Sequence, residues 1–142
     1  MTEEPDLSRF VDAQNPVIEQ VRRELGDGRK RSHWMWFVFP QLAGLGHSAM
    51  ARRYALSSLD EAKAYLRHSV LGPRLIECTE LVNRVKGRSA FEILGSPDDL
   101  KFHSSITLFS LADPAVPAFQ DALARYFAGK PDSRTLGMVG PS

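Results

Sequence analysis

Six consecutive residues, Trp34-Met35-Trp36-Phe37-Val38-Phe39, constrain this chain more than anything else in it. They hold both tryptophans and two of the eight phenylalanines. An apolar run this dense reads as a central core element, because aromatic side chains each remove roughly 150–250 Å² from water. Six residues are far short of the roughly 20 needed to cross a bilayer. Periodicity cannot assign so short a run to helix or buried strand. We read it as helical, capped by Ser32 and stopped by Pro40, since no nearby segment looks like a partner strand.

The flanks point the same way. Asn15-Pro16 reads as a cap with proline at the first helical position, followed by Val17, Ile18, Val21 and Leu25 on one face and Gly26 as a left-handed stop. Before it, Leu7, Phe10 and Val11 form a short stripe. Ser48 opens a helix through Leu56. Ser58 caps the next, with Asp60 and Glu61 in the turn that the helix dipole favours. Leu71-Gly72-Pro73 opens the longest stripe, Leu75, Cys78, Leu81, Val82 and Val85, closed by Gly87. Ser89 to Leu94 makes one short turn or helix ended by Gly95. Ser96-Pro97-Asp98-Asp99 starts another, with Leu100, His103, Ser104, Thr107, Leu108 and Leu111 along it. Asp113-Pro114 repeats the signal ahead of Phe119, Leu123, Tyr126 and Phe127. Asp132 to Gly137 forms a last turn, and Met138 to Ser142 frays. The expectation is all-α: a single compact domain of seven to nine short helices over residues 1–142, ordered from 7 to 137.

Composition excludes several classes. With 43% hydrophobic and 25% charged residues the chain can bury a core. Its net charge of +1 gives no whole-surface attraction to nucleic acid or membranes. Cys78 is the only cysteine, so no internal disulfide forms. No cysteine or histidine spacing suggests a metal, and no motif suggests a cofactor. The acidic start, Met1 to Asp6, lacks the basic and then apolar pattern of a secretory signal. A cytoplasmic location is expected.

What remains is local. Residues 22–31 hold five cations against two acids, a net +3. Arg29, Lys30 and Arg31 end this window, and Ser32 begins the next element. Arginine forks beside helix-start N–H groups suit a phosphate; the same residues would equally make a solvated loop. Gly44-Leu45-Gly46-His47-Ser48, just after Gln41, is a second glycine-spaced turn able to present N–H groups to an anion, or merely a tight connection. Trp34 and Trp36 point to different sides of either a helix or a strand, so one can face the core and the other a cleft. His33 and His47 are the imidazoles available for proton transfer. Lys101 and Ser104 lie i, i+3 on one helix face, as auxiliary polar contacts or, in a buried and oriented geometry, as a nucleophile and base. The candidate ligand is thus a phosphate-bearing small molecule or nucleotide derivative. The alternative is a non-catalytic protein-interaction module presenting exposed tryptophan, tyrosine and arginine. A +3 patch is too small for strong duplex binding.

The stretch from Ser32 to Ser48 also resembles a bacterial family of uncharacterised proteins, domain of unknown function 1810. Tyr54 to Leu66, Val70 to Leu75 and Asp98 to Phe109 are similar to the same family, so the likeness runs from about Leu7 to Leu136. It implies a mainly helical single domain and carries no catalytic residues. The name calpastatin sometimes attached to the family does not fit this chain: calpastatin resembles a disordered inhibitor, the opposite of a core-forming composition.

Overall fold

The computed structural model describes residues 5–140, and among them the chain is all-α, with ten helices and no strand. The helices are α1 (Ser8–Gln14), α2 (Ile18–Gly26), α3 (Met35–Val38), α4 (Ala49–Arg53), α5 (Leu59–Arg67), α6 (Leu71–Arg84), α7 (Ala90–Leu94), α8 (Asp98–Ala112), α9 (Pro117–Phe127) and α10 (Ser133–Val139). That is one more than the upper end expected, because the last turn is a helix of its own and continues to Val139 instead of fraying at Met138. Residues 1–4 and 141–142 lie outside the described part. No described helix is long and apolar enough to cross a membrane.

Helix α8 is the centre. It packs against α5, α7, α9 and α10. Phe102 and every residue from Ser104 to Phe109 are buried. The expected stripe is therefore wrong at its ends: Leu100 is 61% exposed and Leu111 half-buried, while Phe102, Ile106 and Phe109 are in the core. A helix enclosed on all sides has no apolar face for periodicity to find. Aromatic contacts radiate from it. Phe39 meets Phe102 edge-on at 5.0 Å, and Tyr65 meets Phe109 at 5.3 Å. Tyr65 in turn meets Phe10 of α1 edge-on at 5.2 Å.

The Trp34–Phe39 run sits in this core as one helical turn, α3. It stops short because backbone groups there find partners outside the helix. Gln14 is buried, and its Nε2 donates to the Phe37 carbonyl at 2.6 Å and to Tyr65 Oη at 3.0 Å. Beyond Pro40 the chain pairs as a single bridge, Leu42 with Leu56. The bridge uses Ala43 N–H on Leu56 O at 2.8 Å and Leu56 N–H on Gln41 O at 2.9 Å. This is why α4 ends at Arg53 and not at Leu56.

Several caps behave as read. Ser48, Ser58 and Ser89 accept from Ala51, Glu61 and Glu92 N–H, and Ser89 with Glu92 completes a capping box. Others are corrected. Asn15 closes α1, and α2 starts after it with no side-chain cap. Gly26 is still helical, and Gly28, at φ 73°, makes the left-handed turn. Ser96 does not cap α8, whose preceding residue is Pro97. Asp113 folds a local turn with Ala115 N–H, so α9 begins at Pro117. Ser32 caps nothing, for a reason that belongs to the site.

Candidate functional site

Glu24 organises the basic loop. It is 2% exposed and stands three residues after Val21, on the flank of the buried stripe of α2. Its Oε1 accepts from Arg31 N–H (2.7 Å), Ser32 N–H (3.1 Å) and Trp34 Nε1 (3.0 Å). Its Oε2 accepts from Ser32 Oγ (2.6 Å) and Gln20 Nε2 (2.9 Å). Burial alone would raise this carboxyl, but the donors from Ser32, Arg31, Trp34 and Gln20 outweigh it and hold the group at about 2. The N–H groups that sequence reasoning offered to a phosphate are thus occupied by an internal carboxylate. Ser32 gives its hydroxyl proton to Glu24 instead of capping α3. Trp34 is 1% exposed with its N–H committed, which puts it in the core and out of reach of a ligand.

The lysine between them is tied down as well. The Lys30 side chain is only 8% exposed; its Nζ binds Asp98 Oδ2 at 2.9 Å and Ser32 O at 2.6 Å, and lies 5.1 Å from the Trp34 ring centre. A buried ammonium needs such partners. Asp98 sits in the first turn of α8 and also faces Lys101 Nζ at 3.9 Å. One carboxylate therefore joins the basic loop to the helix that carries Lys101.

The result is a cleft of about 400 Å³. The loop side contributes Lys30, Arg31, Ser32 and His33, α3 contributes Met35 and Trp36, and the start of α8 contributes Pro97, Asp98 and Lys101. Lys101 Nζ stands 5.2 Å from the Trp36 ring centre. Trp36 is half-buried, and its Nε1 is shielded from solvent with no hydrogen-bond partner. Arg31 is exposed and pairs with Asp27 at 3.0 Å, a surface contact worth little. Three cations thus face one acid here, and His33 stands exposed at the edge.

A second cleft of about 310 Å³ adjoins the first through Pro97 and Lys101. Gln41, Gly46, His103, Ser104, Asp132 and Arg134 line it. Its hydroxyls are structural. Ser104 Oγ donates to Asp132 Oδ2 (3.0 Å) and to Leu100 O (3.2 Å), and Thr107 Oγ1 accepts from Asp132 N–H (2.9 Å). Burial opposes the charge on Asp132, but bonds from Thr135 and Ser104 outweigh it and hold that carboxyl below its ordinary range. This cluster seats α10 on α8. His103 is stacked on Phe127 at 3.9 Å with its Nε2 on Lys130 O at 2.7 Å.

Of the residues expected from sequence, Lys30, Arg31, Ser32, His33, Trp36 and Lys101 share one cleft, and Gln41, Gly46 and Ser104 line its neighbour. Arg29, Gly44, His47 and Ser48 line neither. Arg29, Gly44 and His47 are exposed, and Ser48 caps α4. The two glycine turns back onto different parts of the fold: a side chain at Gly28 would meet Val85, and one at Gly44 would meet Met138. Sequence reasoning missed Glu24, Asp98 and Asp132. The available signal for Glu24 was an acid on the edge of an apolar stripe.

Comparisons with known proteins agree with the fold and leave the site open. No curated protein matches the chain. A solved structure, a conserved hypothetical protein from Mycobacterium tuberculosis, is 58% identical to it, with a TM-score of 0.94 over 96% of this chain and 98% of the other. Residues 4–139 match the family described as protein of unknown function (DUF1810), and the chain belongs to that family.

Proposed function

We propose that the cleft between the basic loop and α8 binds a phosphate-bearing small molecule, with a nucleotide derivative as the best-fitting class. The observation that carries this reading is the convergence of Arg31, Lys30 and Lys101 around Trp36, with Asp98 as the one acid. Arg31 and Lys101 would contact the phosphate, since Lys30 is held by Asp98 and Ser32. A ligand oxygen reaching Trp36 Nε1 would restore a hydrogen bond that this buried N–H lacks. The indole gives a planar group something to lie against. Any proton transfer would fall to His33. The interaction-module alternative needs an exposed aromatic patch around the tryptophans. Trp34 is buried and Trp36 half-buried, which supports a ligand site over a partner surface.

A thermal-shift and calorimetric panel of nucleotides, sugar phosphates and inorganic phosphate tests the reading. A ligand present at about a hundred times its Kd adds about 2.7 kcal/mol of stability. The expected result is a hit that disappears in the Arg31→Ala/Lys101→Ala double variant, whose own melting temperature stays close to that of the parent. Silence across the panel, or a hit undiminished in that variant, refutes it.

A further inference from the structure

A third cleft, of about 530 Å³, lies between α6 and α9 and shares no residue with the two already described. That volume is in the range of small-molecule pockets. Asn83 is the telling residue. It is 8% exposed, and its Nδ2 donates to the Ala118 carbonyl at 3.0 Å. A carbonyl can only accept, so this bond fixes which end of the amide is which. Oδ1 is then left buried with no partner. An unmet buried acceptor is costly, and a ligand N–H would satisfy it.

The surroundings narrow the ligand further. Ile76 and Val116 supply apolar wall. Val116 and Pro117 belong to the start of α9, an 11-residue helix whose first turn has no side-chain cap, so its N–H groups favour an anion. Arg84, Lys86 and Arg125 add positive charge around the cleft, and Glu80 and Asp121 add negative charge. Glu80 with Arg84, and Asp121 with Arg125, are spaced i, i+4, yet neither pair closes into a salt bridge among the described residues. Both signs of charge therefore remain open to a ligand.

We infer that this cleft binds a small zwitterion with an apolar side chain, of amino-acid to dipeptide size. Its ammonium donates to Asn83 Oδ1 and faces Glu80 and Asp121. Its carboxylate meets the α9 N-terminus and the arginines, and its side chain covers Ile76 and Val116.

Amide NMR on the intact, isotope-labelled chain tests this, with L-leucine and L-leucyl-L-leucine as probes at millimolar concentration. At least one should move the Asn83 side-chain amide and the Ala118 backbone resonances while leaving the Trp36 indole in place. N-acetyl-L-leucine, which lacks the ammonium, and L-leucinamide, which lacks the carboxylate, should each bind about tenfold more weakly or worse. Arg84→Ala/Arg125→Ala, at two exposed positions, should weaken the zwitterion while barely changing the response to L-leucinamide. No shift at Asn83 and Ala118 with either probe, or equal binding of the zwitterion and its two half-charged analogues, overturns the inference.

Discussion

Glu24→Gln isolates the contribution of one buried charge, because glutamine keeps the shape of the side chain. At position 24 its carbonyl oxygen can still accept from Arg31 N–H, Ser32 N–H and Trp34 Nε1. Its amide then stands where Oε2 accepted from Ser32 Oγ and Gln20 Nε2. The Ser32 hydroxyl can rotate to become an acceptor, but the Gln20 amide now faces another donor. The charge assistance is lost from all five bonds. The magnitude follows from proton linkage. The carboxyl moves from an ordinary 4.5 to about 2 in the folded chain, which contributes about 3 kcal/mol near pH 7.

The sign is fixed by the direction of the shift. A depressed carboxyl adds stability that is complete above its unfolded value and drains away as pH falls towards the folded one. Near pH 3 only about 1 kcal/mol should remain. Glutamine has no such titration, and the other carboxylates cancel in the difference between the two proteins. Urea unfolding of parent and variant, at both pH values and with equal m-values, reads that difference directly. A gap below about 1 kcal/mol near neutrality, or one that fails to shrink on acidification, would refute the assignment of Glu24 as the charged anchor of the loop.

Gly72→Ala should destabilise by about 3 kcal/mol or more, because its Cβ would lie 2.1 Å from the Leu66 carbonyl oxygen, a backbone atom that cannot step aside; denaturant melts measure it. Cys78 is fully buried, and burial pushes its thiol up to about 12. Thiol reagents should therefore leave the native chain untouched and label it only at the rate of opening, and fast labelling without denaturant would contradict this. Asp132→Ala removes the cap of α10 and the partner of Ser104, at about 1–2 kcal/mol. Hydrogen exchange at Thr135 and Leu136 should accelerate more than exchange in α8, and uniform acceleration would mean that α10 is not a separately docked element.

The helical punctuation was legible because capping is local. Ser48, Ser58 and Ser89 bond to N–H groups three residues on, and sequence spacing is all that such a bond requires. The errors share a cause, which is competition from distant partners. Ser32 looked like a cap but lies beside Glu24, and Leu56 looked helical but bridges to Leu42. Hydroxyls inside α8 follow the same rule. Ser104 and Thr107 answer to Asp132, from 28 and 25 residues away, and the buried Ser105 Oγ has no partner. No window of sequence contains those pairings.

The candidate site shows the same limit in its charge. Counting along the chain gave residues 22–31 a net +3, as though every cation faced outward. In the fold the loop is divided between inside and outside. Glu24 takes its inward donors, and Asp98, brought from α8, takes Lys30. What is left in the cleft for an external anion is Arg31, shared with Asp27, and Lys101, which no count over the loop could include, while Arg29 stands exposed outside it. Neutralising the loop from within lets four hydrogen bonds to Glu24 and the Lys30–Asp98 ion pair hold it beside Trp36. A ligand would then meet cations already in position, without the entropy of ordering a mobile basic segment. Affinity at such a site depends on the two outward side chains, and rigidity on the two inward acids.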